Sequence, residues 1–296
     1  MELRGARVLL TGATGGIGQA LATAFAARGA DVVLTGRRAD VLKELADGIG
    51  AKATTLTADL TDREAPLRLV EEAGDIDVLV ANAALPASGL LADYSVAEID
   101  RALDVNLRAP IVMAKAAGER MAARRRGHLV FISSLSGKAA SGRAALYNAT
   151  KFGMRGFALA MREDMREHNV GVSTVFPGFI RDAGMFAEAQ VTLPRGVGTR
   201  SPRDVARATV RAVEKNIAEV DVAPLTMRVG ALLAGAAPAM AAAVQRRAGG
   251  DRVTRTSPTA SATSADLLRR RPRRPGTPSL MIKWEGCARA NTGGSG

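Results

Sequence analysis

A doubly wound α/β fold is what this sequence predicts: a parallel sheet of about seven strands with helices on both faces, in a single domain. Short Val- and Leu-rich runs alternate with helical patterns along most of the chain. Of 296 residues, 47% are hydrophobic and only 3% aromatic, so a large core of close-packed Ala, Val and Leu is available. No internal repeat divides the chain.

The elements follow in order. "RVLLT" (7–11) reads as a buried strand. "IGQALATAFAARG" (17–29) reads as a helix whose turns are marked by Leu21, Ala24, Phe25 and Arg28, with Gly29 as its C-terminal cap. "DVVLT" (31–35) is the second strand and "VLKELADGI" (41–49) the second helix. Further strands are expected at 53–57, 77–82, 128–133, 170–176 and 219–223, each compact and bounded by turn residues. Helical patterns lie between them at 61–73, 96–126, 147–168 and 201–217, the last opening on Ser-Pro.

The net charge of +12 invites a nucleic-acid reading, but its distribution opposes one. From Arg246 onward there are eleven Lys or Arg and three Asp or Glu, a net +8, which leaves +4 for the 245 residues before it. The basicity belongs to a tail rather than to a folded face, so no specific nucleic-acid partner is expected. The expected organisation is one domain over 1–245 and a basic tail over 246–296. After Gly249 the tail is rich in Ser, Thr, Pro, Gly and Arg, a composition that predicts disorder, and Trp284 within it adds little to a core. Cys287 is the sole cysteine, which fits a reducing compartment, and the N-terminus lacks a signal-peptide layout, so a cytoplasmic location is expected. The longest uncharged run, Val229 to Gln245, is short of the roughly 20 residues of a membrane span and is interrupted by Pro238. Segment 225–245 reads as a terminal helix packed on the fold or a subunit contact, with peripheral membrane contact as the alternative.

"TGATGGIG" (11–18) joins the first strand to the first helix. Glycines there let a backbone approach a pyrophosphate, and the helix N-terminus offers free N–H groups and the positive end of a dipole. No Lys follows in the manner of an NTPase loop. A strand–helix turn without ligand is the alternative. The turn has two registers, Gly12/Gly16/Gly18 and Gly12/Gly15/Gly18. At the end of the second strand a dinucleotide-binding, Rossmann-type fold places a carboxylate for the ribose hydroxyls of NAD, or a basic residue for the 2′-phosphate of NADP. This chain has Gly36-Arg37-Arg38 and no acid, so Arg37 is the candidate for the phosphate and NADP(H) is the expected coenzyme, with NAD(H) as the alternative.

Tyr147 and Lys151 are four apart and share one helix face. Ser134 lies thirteen residues before the tyrosine, at the end of the strand "HLVFISS". An ammonium beside a phenol favours the phenolate and lowers its pKa from about 10. The phenol then exchanges a proton with a carbonyl or alcohol oxygen as hydride moves, and a serine hydroxyl holds that oxygen.

With these motifs in this order the sequence resembles the short-chain dehydrogenase/reductase family over roughly residues 5 to 225. "TGATGGIG" resembles its cofactor turn, Asp59 in "ADL" its adenine-side acid, "ANAA" (81–84) its segment after the fourth strand, "VN" (105–106) its asparagine, and "PG" (177–178) the end of its sixth strand. The resemblance implies Tyr147 as general acid/base, Lys151 as its tuner and nicotinamide-ribose ligand, Ser134 as substrate holder, and Asn106 as the anchor of a water in a proton relay. It implies a cofactor site formed by Thr11, Gly12, Thr14, Gly16, Ile17, Gly18, Arg37, Asp59, Leu60, Asn82, Pro177 and Gly178, with Tyr147 and Lys151. The family's longer branch uses the second glycine register and a more distant Ser or Thr. The thirteen-residue gap therefore favours the short, single-domain branch and the first register. The helices around 96–126 and 147–168 would form a four-helix subunit contact, hence a homodimer or homotetramer.

Two departures stand out. Ala81 and Ala84 replace the family's first Asn and its Gly, which removes a sheet-anchoring hydrogen bond. After Pro177-Gly178 the chain reads "FIRDAGMF", with Asp182 where the family often has Thr. Residues 183–200 fall at the family's substrate-covering loop, and Met185, Phe186, Val191 and Leu193 suggest a hydrophobic carbonyl or alcohol substrate, ordinary loop packing being the alternative. His128 and His168 have no metal-ligand spacing and read as surface or loop residues, so no metal is expected. "RRR" (124–126) reads as a solvated helix end, and Met154, Met161 and Met165 as core or subunit packing. Two other classes of function stay open: a non-catalytic NADP-binding sensor or scaffold, and an epimerase or dehydratase that retains its cofactor.

Overall fold

The computed structural model describes residues 1–181 and 198–247. Asp182, all but the end of the expected substrate-covering loop (with Met185, Phe186, Val191 and Leu193), and the tail beyond Arg247, with Trp284 and Cys287, lie outside the described residues.

Seven parallel strands form one sheet in the order β3-β2-β1-β4-β5-β6-β7. They are β1 (Arg7–Thr11), β2 (Asp31–Gly36), β3 (Ala53–Thr57), β4 (Val78–Ala81), β5 (Gly127–Ile132), β6 (Val170–Pro177) and β7 (Glu219–Val222). Every predicted strand is present within a residue or two of its expected limits. The order reverses between β1 and β4, and Val8, Leu9 and Leu10 pair there with Val78, Leu79 and Val80. A crevice opens at such a reversal beyond the carboxyl ends of the strands.

Alternation along the strands divides the interior into two cores. Val8, Leu10, Val32, Leu34, Val80, Val130 and Ile132 point to one face. There they meet Leu21, Ala22 and Phe25 of α1 (Gly16–Ala26), Leu42 of α2 (Ala39–Ile49), and Val205, Val210 and Val213 of a later helix. Leu9, Val33, Leu79, Ala81, Leu129 and Phe131 point the other way, onto α3 (Ala65–Ala73) and two longer helices. Gly29 ends the α1 turn as expected: it has φ +80°, and the Ala30 N–H donates to the Phe25 carbonyl.

The single helix expected over 96–126 is instead three pieces. α4 (Val96–Leu103) begins in a Ser95/Glu98 capping box, a widened π turn spans Asp104–Arg108, and α5 (Ala109–Arg124) follows. Pro110 is the cause. It has no N–H to give the Asn106 carbonyl four residues earlier, so the regular ladder breaks there. Then come α6 (Ala145–Arg166) and α7 (Pro202–Lys215), whose Ser201/Asp204 capping box and Pro202 make the start that Ser-Pro predicted. Met154 is buried in the second core, and Met161 and Met165 pack against it.

The C-terminal segment divides at Pro238 into α8 (Leu225–Ala236) and α9 (Pro238–Arg247). Ala231 is its one buried residue among those whose burial is described. No helix of the described residues is long and apolar enough to cross a membrane.

Candidate active site

The glycine turn is held in place from three sides. Thr11 Oγ1 accepts from the N–H groups of Asn82 and Ala83, at 3.0 Å each. Asn82 Nδ2 donates to the carbonyls of Thr11 (3.0 Å) and Gly12 (3.1 Å). Arg38 Nη2 reaches the Thr14 carbonyl at 3.0 Å. Thr11 and Asn82 thus join the ends of β1 and β4, the strands that flank the reversal. The anchoring bond expected to be missing at Ala81 is supplied here by Thr11, while Ala81 itself is buried against the second core.

The glycines divide by role. Gly12 has φ +66°, and a Cβ there would lie 2.8 Å from Ala83 Cα. At Gly18 a Cβ would lie 2.2 Å from the Gly12 carbonyl oxygen. Neither position admits a side chain. Gly15 is different: its φ is −82°, and the nearest atom to a Cβ would be the Gly12 oxygen at 3.7 Å. The fold does not need glycine at 15, which agrees with the Gly12/Gly16/Gly18 register. α1 begins at Gly16 with no side-chain cap and no acidic residue in its first turn, so its N–H groups and dipole favour an anion. Ile17 packs against the first core and fixes the helix start. This arrangement fits the pyrophosphate of a dinucleotide.

Around the turn, Arg37 is exposed and its guanidinium has no partner among the described residues, whereas Arg38 is committed to Thr14. Asp59 Oδ1 accepts from the N–H (3.0 Å) and hydroxyl (2.8 Å) of Thr61, and Leu60 beside it is buried. Pro177 ends β6. The Gly178 N–H donates to Val222 at 3.0 Å, and a Cβ at Gly178 would meet Ala223 at 2.9 Å.

The remaining residues converge at the ends of β4, β5 and β6. Asn106 is buried in the π turn and clamps the chain at Leu85, accepting from its N–H (2.6 Å) and donating to its carbonyl (2.9 Å). Ser134 leaves β5 into a 3₁₀ turn (Leu135–Gly137), and its Oγ accepts from the Ser136 N–H at 3.1 Å. The Tyr147 phenol is its neighbour, near enough for the serine hydroxyl to favour the phenolate. Tyr147 and Lys151 both lie on the buried face of α6, and Lys151 Nζ donates to the Ile132 carbonyl at 3.2 Å. The 3₁₀ turn and α6 touch so closely that a Cβ at Gly137 would be 2.7 Å from the Lys151 carbonyl.

The electrostatics depart from the sequence expectation. Tyr147 was expected to be lowered by the lysine. Burial instead pushes it up to about 12, and the nearby Ser134 hydroxyl only partly opposes this. Burial likewise takes Lys151 down to about 8. The ammonium sits 5.6 Å from the phenol ring centroid and bonds Ile132 rather than the hydroxyl, so desolvation outweighs attraction for both groups.

His128 corrects a second expectation. It is not at the surface but buried within β5. Its Nε2 lies 2.8 Å from Ser173 Oγ, and that hydroxyl donates to the Ile217 carbonyl at 2.6 Å, so the imidazole donates from Nε2. Burial above all, with the N-terminal amine and Arg162 adding to it, lowers its pKa to about 3. His168 is exposed, as expected. The Arg38 clamp and Gly137 were missed: "GRRAD" does not distinguish its two arginines, and no local spacing marks a glycine that makes room for a helix.

A family model described as short chain dehydrogenase matches residues 6–193. Ketoacyl reductase HetN of Nostoc sp. is 32% identical over 227 residues, which cover 74% of this chain and 79% of that protein. The 3-oxoacyl-acyl-carrier-protein reductase FabG of Rickettsia conorii is 30% identical over 181 residues, or 61% of this chain and 75% of that protein. A solved short chain dehydrogenase/reductase family protein superimposes with a TM-score of 0.69 at 32% identity and covers 75% of this chain and 97% of its own. With its sheet order, its glycine turn, and Ser134 beside the buried Tyr147 and Lys151, the chain belongs to the short-chain dehydrogenase/reductase family and is an NAD(P)-dependent oxidoreductase.

Proposed function

We propose that the chain is a cytoplasmic, homo-oligomeric carbonyl reductase that prefers NADP(H) and uses Tyr147 as its general acid/base. The observation that carries the reading is the convergence of Ser134, at the carboxyl end of β5, with Tyr147 and Lys151, which lie one turn apart on the buried face of α6. When bound, the nicotinamide coenzyme supplies or accepts the hydride. The chain's own residues handle the oxygen and its proton. Ser134 holds the carbonyl oxygen, and Tyr147 gives it a proton as charge develops. A phenol whose pKa is raised to about 12 is protonated around neutrality, the form in which it can donate to a carbonyl oxygen. Lys151 positions the nicotinamide ribose. Asn106 fixes the chain at Leu85, and Pro110 leaves its carbonyl without the usual helical donor, which suits the anchoring of a relay water.

Arg37, exposed and unpaired, supports the NADP preference. The name of the Nostoc relative, a ketoacyl reductase, supports a carbonyl on an apolar chain as substrate. Subunit contact through α5 and α6 is supported by Phe152 and Leu159, which stand exposed on α6 to either side of the open Gly156.

The test is NADPH consumption over a panel of apolar ketones and 3-ketoacyl thioesters, with Tyr147→Phe as control. Turnover should fall by at least about a hundredfold in the variant while NADPH affinity stays near wild type. Near-wild-type turnover in Tyr147→Phe refutes the assignment.

A further inference from the structure

We propose that the outer face of α8 and α9 docks on an anionic lipid bilayer. α8 has two unlike sides. Met227 and Ala231 pack on Leu135, Phe176 and Ala223, and a Cβ at Gly235 would lie 3.0 Å from the Lys138 carbonyl. This side therefore lies against the 3₁₀ turn that follows Ser134. On the other side, Leu225, Val229, Leu232 and Leu233 recur at helical spacing and are 68%, 46%, 72% and 58% exposed. Met240 of α9 adds a fifth exposed apolar group, at 63%. Helices of 12 and 10 residues are too short to span a bilayer but suited to lying in its interface.

Charge decides the occupant. From Leu225 to Arg247 there are three arginines (Arg228, Arg246, Arg247) and no Asp or Glu. Arg228 flanks the apolar side of α8, and its guanidinium has no partner among the described residues. The sequence from Arg246 onward carries a net +8. Apolar side chains bordered by Arg228, in a segment with no acidic residue, match an interface of acyl chains under anionic headgroups. A two-fold contact between copies would instead bring together two faces that carry arginine and, from Leu225 to Arg247, no Asp or Glu to offset it. Because α8 abuts the turn carrying Ser134, docking seats the candidate active site beside the membrane. Delivery of apolar carbonyl compounds from the bilayer rests on the proposed function; the docking does not.

The experiment is flotation of the full chain with vesicles of phosphatidylcholine alone or mixed with phosphatidylglycerol, alongside the Leu232→Glu/Leu233→Glu double variant and Arg228→Glu. Both variants alter exposed positions, and circular dichroism checks that they fold. The wild type should float with mixed vesicles, and the double variant should lose at least about tenfold in partitioning. Arg228→Glu should weaken binding to mixed vesicles only. Three results overturn the proposal: no flotation of the wild type; equal flotation of the double variant, which assigns binding to the basic tail alone; or unchanged flotation of the double variant with a halved mass by light scattering, which makes the face a subunit contact.

Discussion

Substituting alanine at Gly18 and, separately, at Gly15 separates a glycine the fold needs from one it does not. At Gly18 the new methyl would sit 2.2 Å from the Gly12 oxygen and 2.7 Å from Ala13 Cα, both backbone atoms. The turn cannot yield easily, because Thr11, Asn82 and Arg38 tie it to β1, β4 and the end of β2. The start of α1 must therefore retreat by about 1 Å to restore ordinary contact, against a core packed to crystal-like density. Overpacking of this kind costs about 1–3 kcal/mol. At about 2–4 °C per kcal/mol for a domain of this size, the free protein should melt several degrees early. At Gly15 the methyl meets nothing closer than 3.7 Å, so the free protein should keep its stability. NADPH affinity should nevertheless fall by about tenfold or more, because Gly15 is the N-cap of α1 and a methyl there crowds an anion drawn to the helix N-terminus. Thermal unfolding without coenzyme and fluorescence titration with NADPH read the two effects separately. Wild-type melting in Gly18→Ala refutes the reasoning, as does a Gly15→Ala protein that melts early yet binds NADPH normally.

Arg37→Ala should weaken NADPH by roughly ten- to a hundredfold, the worth of a charge-assisted phosphate contact, and leave NADH unchanged. Arg38→Ala, by freeing the Thr14 carbonyl, should weaken both coenzymes together; paired titrations tell the two arginines apart. His128 should make the protein acid-sensitive. Below about pH 6.5 the unfolded chain takes up a proton that the folded chain refuses until about pH 3. Stability should then fall by about 1.4 kcal/mol per pH unit as pH drops through that window. His128→Gln retains a donor for Ser173 and removes the titration. Urea unfolding at neutral pH and in mild acid should show the variant gaining on the wild type as pH falls, and a constant difference between the two rules this out.

Much of the fold was legible because its signals are local. A parallel strand buried on both faces must be apolar nearly throughout, so "RVLLT" and "DVVLT" announce themselves without knowledge of their neighbours. Ser201-Pro202 and Gly29 act through backbone chemistry within one turn of chain and were equally plain. The break inside 96–126 was not. Pro110 gave the signal, but a proline in the first turn of a helix and a proline that widens one read alike until the carbonyl it deprives is known. His128 was misread for a related reason. It looks polar in sequence, and only the pairing of β5 with β6 brings it to Ser173, whose hydroxyl passes the hydrogen bond on to Ile217.

The candidate site divides along the same line. Which residues gather was readable, since Tyr147 and Lys151 share a helix face and Ser134 ends a strand. What their neighbourhood does to them was not. The sequence argument treats ammonium and phenol as an isolated pair, in which attraction favours the charged forms. In the folded chain both are buried, and the lysine spends its proton donor on the Ile132 carbonyl. Desolvation then drives both toward neutrality, Tyr147 up to about 12 and Lys151 down to about 8. A phenol so raised keeps its proton at neutral pH and is a weaker acid than an ordinary tyrosine. The burial that defeats the simple pairing argument therefore works against proton transfer in both directions, and turnover through Tyr147 requires an added positive charge, or a proton path to solvent, to bring the phenol pKa back toward neutrality.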